Sequence, residues 1–201
     1  MKTACVCVSR VLLSLFSLFL TSSTTQVNAK GNSMEQVERK NAKAPQELSR
    51  FAFLIGQWNC EAKLKSADGA WQHFDVRWTG HYILDGYAIA DEYTMTDRKG
   101  ALVVLGMNIR TYDASKKAWH IKWLNALSGT WTDLVSGISG GMSITDRAIT
   151  YSFKEPVATQ AYTRATYTNI TGDHFTWIGE KSDDGHSWAD FMIVECKRSR
   201  D

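Results

Sequence analysis

From residue 56 onward, apolar and polar side chains alternate along several short segments of the chain. Three of these segments, 56–65, 71–79 and 117–126, place their apolar residues two positions apart. Those residues are Trp58, Cys60, Ala62, Leu64, Phe74, Val76, Trp78, Trp119, Ile121 and Trp123. A strand points successive side chains to opposite faces. The pattern therefore predicts strands with one face in water and one face in the protein interior.

Turn residues separate these segments at regular intervals. Ser66-Ala-Asp-Gly69 and Asp97-Arg-Lys-Gly100 combine an Asp with a Gly, and Gly140-Gly141 is also predicted to be a turn. About nine or ten strands follow, near 56–65, 71–79, 87–96, 101–112, 117–126, 129–137, 147–154, 159–169, 173–181 and 187–197. Residues 46–54 are predicted to form one or two helical turns before them. Short strands joined by tight turns predict an all-β domain, either a barrel or a sandwich.

The predicted interior face is rich in aromatic side chains. They are Trp58, Phe74, Trp78, Trp119, Trp123, Tyr151, Phe153, Phe175 and Trp177. Flat rings along a wall suit an apolar or planar guest when the barrel is wide enough to leave a cavity. The alternative is that the same rings simply fill the core.

The first 29 residues have the pattern of a secretory signal peptide. Lys2 and Arg10 are followed by a short apolar core, Val11–Leu20, and then by Val27-Asn28-Ala29, which fits a small-x-small cleavage site. The apolar core is about half the length that a membrane-spanning helix needs, so no membrane span is predicted. Residues 30–45 are polar and are predicted to be a flexible lead-in. We expect a periplasmic or secreted protein.

Charge argues against a polyanionic partner. The chain has 23 Lys and Arg against 21 Asp and Glu, and removal of residues 1–29 would take away Lys2 and Arg10 but no acidic residue. The remaining charges balance, so no basic footprint for nucleic acid is expected.

Two cysteines follow the signal peptide, Cys60 and Cys196, one at each end of the folded region. In a barrel the first and last strands can be neighbours, and an exported protein matures under oxidising conditions. We expect a disulfide between them, with two buried thiols as the alternative.

No metal site, cofactor or catalytic residue is predicted. The five histidines show no His-x-x-x-His spacing, and the chain has no Cys-x-x-Cys pair. Gly137-Ile-Ser-Gly-Gly141 is predicted to be a turn between strands and not a strand-to-helix loop, and phosphate-loop and dinucleotide-binding motifs are absent.

Two ionisable residues stand beside apolar runs. Arg110 follows Leu102–Ile109, and Glu92 ends the run Ala88-Ile-Ala-Asp-Glu92. If both faced the interior they would have to pair, because an unpaired buried charge costs roughly several kcal/mol. Both faces of the Arg110 strand are apolar, so the pattern does not assign the facing of Arg110.

A set of short motifs resembles a known family. The set runs in order through Phe51-Ala-Phe-Leu-Ile-Gly-Gln-Trp58, Trp78-x-x-x-Tyr82-Ile-Leu-Asp-Gly86, Asp91-Glu92, Arg110-Thr-Tyr-Asp113, Trp119-x-Ile-x-Trp123 and Ser182-Asp-Asp-Gly-His-Ser-Trp188. It resembles a widespread, mostly bacterial family of domains of unknown function with a lipocalin-like (calycin) barrel.

The resemblance implies a single antiparallel up-and-down β-barrel of about ten strands over residues 46–198. A short N-terminal helix would plug one end, and a cavity would open at the other. It implies no activity, since fold does not fix function. Haem-binding relatives use a histidine near the last strands, where this chain has Val194-Glu-Cys196, so haem is not expected.

The leading hypothesis is an exported protein that binds a small, mainly apolar molecule in the barrel. The residues predicted to bind it are Trp78, Glu92, Arg110, Trp119, Trp123, Tyr151 and Trp177. Two alternatives stay open: an isomerase- or hydratase-type enzyme that uses Glu92 or Asp91 with Arg110, and a solidly packed domain that works through protein contacts. The oligomeric state is not predicted.

Overall fold

The structure, a computed structural model, describes residues 39–136, 141–154 and 162–200. The predicted signal peptide and residues 30–38 of the predicted lead-in lie outside the described residues. Residues 39–45 contact the turn after the second strand, where the Asn41 backbone N–H donates to the Gly86 carbonyl over 3.3 Å and Ala44 is buried. The export signal and the domain boundaries stay predictions.

The described residues form one 3₁₀ helix, Gln46–Leu54, and eleven strands. The strands are β1 (Gly56–Lys65), β2 (Trp71–Ile83), β3 (Ala88–Thr96), β4 (Leu102–Asp113), β5 (Ala118–Asn125), β6 (Thr130–Ser136), β7 (Gly141–Ile144), β8 (Ala148–Lys154), β9 (Tyr162–Thr168), β10 (His174–Ser182) and β11 (Ala189–Arg198).

The ten predicted strands are present, and one prediction about a turn is wrong. Gly141 does not belong to a turn but begins β7, where it pairs with Ser152 of β8. A four-residue strand that starts with glycine is too short to show an alternation of apolar and polar residues. The sequence pattern therefore does not predict β7, and its pairing with β8 in the structure defines it.

The strands build one antiparallel sheet in the order β6-β5-β4-β3-β2-β1-β11-β10-β9-β8-β7. Neighbours in the chain are neighbours in the sheet, except that β1 also pairs with β11 and that β6 and β7 are the two edge strands. Curvature brings β6 alongside β8. The result is a nearly closed up-and-down barrel, which confirms the predicted fold class.

The predicted disulfide is present between β1 and β11. Cys60 and Cys196 are directly opposite in the register, with their Cα atoms 4.1 Å apart, and their sulfur atoms are bonded. The bridge therefore ties the first strand of the barrel to the last.

The 3₁₀ helix fills one end of the barrel. Leu48, Phe51 and Leu54 are fully buried, and the Trp58 indole N–H donates to the Leu54 carbonyl over 3.1 Å. Arg198 holds the end of the helix from outside: its guanidinium donates to two carbonyls just before β1 and lies 4.1 Å from the Trp58 ring centroid. This half of the barrel is solid, so any space for a ligand lies toward the other end.

Candidate functional site

The half of the barrel away from the helix contains a cavity of about 340 Å³ that is open on one side. Its lining extends to Asn125 and Thr130, which flank the β5–β6 turn. Eight of the seventeen described lining residues are aromatic: Trp78, Tyr93, Trp123, Tyr151, Phe153, Tyr167, Trp177 and Phe191. The rest consists of Val104, Leu134, Ala165 and Met192 together with Asn108, Asn125, Thr130, Thr132 and Thr163.

Two inward-facing glycines explain why large rings leave this space. A Cβ on Gly106 of β4 would lie 2.4 Å from the Trp123 indole. A Cβ on Gly179 of β10 would lie 2.6 Å from the Trp177 indole and 2.7 Å from the Phe191 ring. Both distances are far below van der Waals contact. The rings therefore lie against bare backbone, where a side chain at either glycine would push them toward the middle of the barrel.

A buried ion pair lies beneath the inner end of the cavity. Asp91 of β3 and Arg110 of β4 are fully buried and in contact with each other through Oδ1 and Nη1. The Trp78 indole N–H donates to Asp91 Oδ2 over 2.8 Å, and Asn108 Nδ2 donates to the same oxygen over 2.9 Å. The pair is thus held by neighbours on three strands, as a buried charge requires.

Arg110 is enclosed on its other sides. Its Nη2 donates to the Tyr167 hydroxyl over 2.8 Å, and its guanidinium carbon lies 5.0 Å from the centroid of the Phe51 ring, in the helix. The positive charge of the guanidinium is therefore balanced by groups of the protein itself, and the guanidinium does not line the cavity.

The tyrosines around this network stay neutral. Burial raises the pKa of Tyr167 well above its ordinary value of 10, and the positive charge of Arg110 offsets only part of that rise. Burial also raises the pKa of Tyr93 above 10. Both groups therefore present phenol, not phenolate, to the cavity near neutral pH.

Four of the seven residues predicted to bind ligand line the cavity: Trp78, Trp123, Tyr151 and Trp177. Trp119 lies at the opposite end, with its ring centroid 5.0 Å from that of Phe51, and packs against the helix. Arg110 lies beneath the cavity and not in its lining. The rings of the predicted interior face thus divide into a packed half and a cavity half.

Glu92, which was predicted to act with Arg110 if both faced the interior, does not face it. Its side chain is exposed on the outside of β3, and its neighbour Asp91 is the residue that pairs with Arg110. Adjacent strand residues point to opposite faces. The run Ala88-Ile-Ala is apolar on both faces, so alternation alone did not assign which of the two carboxylates points inward.

Some lining residues carried a recognisable signal and were missed. Tyr167 alternates with Ala165 and Thr163 on one face of β9, as an inward-facing set does. Asn108 is an isolated amide within the apolar run of β4, where a polar residue needs a buried partner. Phe191 and Met192 had no such signal, because β11 has a bulge opposite Gly179 and Glu180 that interrupts the period of two.

A second concavity of about 650 Å³ lies on the outer face of β11, β1, β2 and β3. Its ionisable residues include Glu61 and Asp75, which already pair with Arg98. Across the described part of the chain, no group of three His, Cys, Asp or Glu is arranged to hold a metal ion. None of the described helices is long and apolar enough to cross a membrane. The interior cavity is therefore the candidate site.

No protein-family model matches the sequence, and no curated protein matches it either. The fold, however, is similar to solved structures. The protein Rv2717c from M. tuberculosis is 14% identical with a TM-score of 0.57, over 78% of this chain and 99% of that chain. At this identity the likeness shows the fold alone, a lipocalin-like barrel; the predicted family of unknown function stays a prediction.

Two further solved structures are similar at lower TM-scores. An S-type phycobiliprotein lyase from Guillardia theta is 7% identical with a TM-score of 0.49, over 76% of this chain and 92% of that one. A redesigned β-barrel, mFAP1, solved with DFHBI bound, is 15% identical with a TM-score of 0.37, over 73% and 95%. At these TM-scores neither likeness carries an argument about this chain.

Proposed function

We propose that this protein is exported and binds a small, mainly apolar molecule inside the barrel. The observation that supports this most directly is the ring-lined cavity above a solidly packed floor. Its volume of about 340 Å³ lies within the range of roughly 300–1,000 Å³ typical of small-molecule sites. An apolar guest there would replace water against aromatic faces, which is favourable by about 25 cal/mol for each Å² buried.

Packing against glycine backbone holds two of the lining rings in place. The Trp123 and Trp177 indoles lie against glycine backbone on β4 and β10. Side chains packed in this way are already in place before a ligand arrives, so little side-chain freedom is lost on binding.

Export is supported by two independent features. The predicted signal peptide ends at Ala29, and the Cys60–Cys196 disulfide suits an oxidising compartment. Protein sequencing of the mature form should begin at Lys30. A mature form that keeps residues 1–29 would contradict export through signal cleavage.

The enzyme alternative has less support. Its proposed carboxylate, Glu92, is exposed, and Asp91 accepts hydrogen bonds from Trp78 and Asn108 while it pairs with Arg110. A general acid or base must reach a proton of the substrate, and neither carboxylate is among the described residues that line the cavity. The interaction-domain alternative has less support because the barrel is not filled.

Binding can be tested with a Trp123→Ala variant. It should weaken an apolar ligand about tenfold or more, because one large ring is worth roughly 1.5–3 kcal/mol of buried contact. Ligands would be sought by native mass spectrometry of protein purified from its own host, and affinities measured by tryptophan fluorescence.

The matched control is Trp131→Ala. Trp131 is half exposed on the outside of β6 and is not part of the cavity lining, so its loss should leave the affinity unchanged. Equal effects of both substitutions on affinity, or a protein that binds no apolar molecule, would count against the proposal.

A further inference from the structure

We infer that the molecule bound in the cavity is uncharged and donates a hydrogen bond to Asn108 Oδ1 at the inner end of the cavity. This inference rests on the proposed function and narrows the class of ligand. Neutral phenols, alcohols and N–H heterocycles fit it, whereas fatty acids and other carboxylates do not.

The lining provides no partner for a charge. Among the described residues that line the cavity there is no Asp, Glu, Lys, Arg or His. A carboxylate that entered would lose its hydration without gaining a counter-charge, which is strongly unfavourable. Thr130 and Thr132 supply hydroxyl groups, which suit neutral polar atoms.

Arg110, the nearest cationic side chain, does not provide the missing counter-charge. Arg110 is fully buried outside the lining, and its guanidinium already contacts Asp91, donates to Tyr167 and faces the Phe51 ring. Arg110 Nε has no hydrogen-bond partner among the described residues, but it is buried with almost no accessible surface, so a ligand carboxylate in the cavity does not reach it. The charge of Arg110 is therefore not available to an anionic ligand.

The side-chain amide of Asn108 has a fixed orientation, and its oxygen, Oδ1, is an acceptor without a partner among the described residues. Its Nδ2 donates to Asp91 Oδ2, and an ionised carboxylate can only accept, so the amide nitrogen must face Asp91. The amide oxygen then points away from Asp91, and no described residue donates a hydrogen bond to it. Asn108 lines the cavity and is only 6% exposed.

The neighbouring polar groups at the inner end are already engaged. The Trp78 N–H donates to Asp91, and the Tyr167 hydroxyl accepts from Arg110. Asn108 Oδ1 is thus the acceptor that a ligand can satisfy there. A buried acceptor left unpaired is costly, so a ligand with a donor is favoured over one of equal shape without a donor.

The test compares three probes of nearly equal shape at pH 7: naphthalene, 2-naphthol and 2-naphthoate. We expect 2-naphthol to bind about tenfold more tightly than naphthalene through its hydroxyl group. We expect 2-naphthoate to bind more weakly than both. Affinities would be measured by tryptophan quenching and by isothermal titration calorimetry.

An Asn108→Leu variant then locates the donor contact. It should remove the preference for 2-naphthol over naphthalene and keep naphthalene binding. Thr132→Val, which removes another polar group from the lining, is the matched control and should keep the preference. If Asn108→Leu fails to fold, the three-probe comparison on the unaltered protein still decides the question.

The outcomes separate the two proposals. Equal affinity for naphthalene and 2-naphthol, or tightest binding of 2-naphthoate, would overturn this inference and leave the proposed function standing. Binding of none of the three probes would refute the proposed function, and the inference would fall with it.

Discussion

Asp91 and Arg110 show how one pair of residues fixes the inner end of the candidate site. Both side chains are fully buried, and three neighbouring side chains, Trp78, Asn108 and Tyr167, hydrogen-bond to them. Such a pair need not stabilise the fold overall, since removing two charges from water is costly. Its effect is to orient Asn108 and to keep the guanidinium out of the cavity.

We predict that Asp91→Asn lowers the free energy of unfolding by about 3–5 kcal/mol, because it leaves the Arg110 charge buried without a counter-charge. Urea denaturation measures the loss. The control is Glu92→Gln, the next residue of β3, whose side chain is exposed; a change within about 0.5 kcal/mol is expected there. Equal small changes in both variants would mean that the pair is not sealed from solvent.

At the scale of elements, the barrel is held where its first strand meets its last. The Cys60–Cys196 bridge crosses this ladder, and Arg198 of β11 donates to the carbonyls of Phe53, in the 3₁₀ helix, and Ile55, which follows the helix. The helix, which closes one end of the barrel, is thereby attached to both the first and the last strand. The opposite contact, between β6 and β8, has no strand ladder among the described residues.

We predict that a double Cys60→Ala, Cys196→Ala variant loses about 4–5 kcal/mol of unfolding free energy. The bridge joins residues 136 positions apart, and a crosslink of that span restricts the unfolded chain strongly in the chain-entropy model. Chemical denaturation with and without a reducing agent measures it. The reductant should destabilise the unaltered protein and leave the variant unchanged; a reductant effect on the variant would mean that the loss has another cause.

At the scale of the whole molecule, the barrel core holds several neutral phenols. Burial raises the pKa of Tyr93, Tyr167 and Tyr82 above the ordinary value of 10. Above pH 10 the unfolded chain releases these protons while the folded chain keeps them. The stability that the neutral phenols contribute is therefore complete below pH 10 and is lost as the pH rises further.

We predict that the free energy of unfolding falls by about 1 kcal/mol between pH 10 and 11 for each of Tyr93 and Tyr167, because a phenol of the unfolded chain is half ionised at pH 10 and mostly ionised at pH 11. Urea denaturation across this range measures the slope. A Tyr93→Phe, Tyr167→Phe variant should show a shallower slope. Tyr87→Phe, which removes an exposed tyrosine, should not. An unchanged slope in the double variant would show that these phenols ionise freely in the folded protein.

Much of this architecture could be predicted from the chain alone. Trp58, Trp78 and Phe175 were predicted to face inward because one face of their strands is apolar and the other is polar, and all three are buried. The turns followed from Asp and Gly, and the positions of Cys60 and Cys196 allowed the disulfide to be predicted. These features depend on which residue types occur at which positions, and this information can be read directly from the sequence.

The tertiary structure decided what alternation could not. Where both faces of a strand are apolar, as at the start of β3 and along β4, only the pairing of strands chose Asp91 over Glu92 as the partner of Arg110. The cavity itself depends on Trp123 of β5 lying over Gly106 of β4. On a strand that is apolar on both faces, packing across the barrel decides which side chains point inward. Packing also decides which side chains of different strands touch. The pattern of apolar and polar residues along the chain does not contain this information.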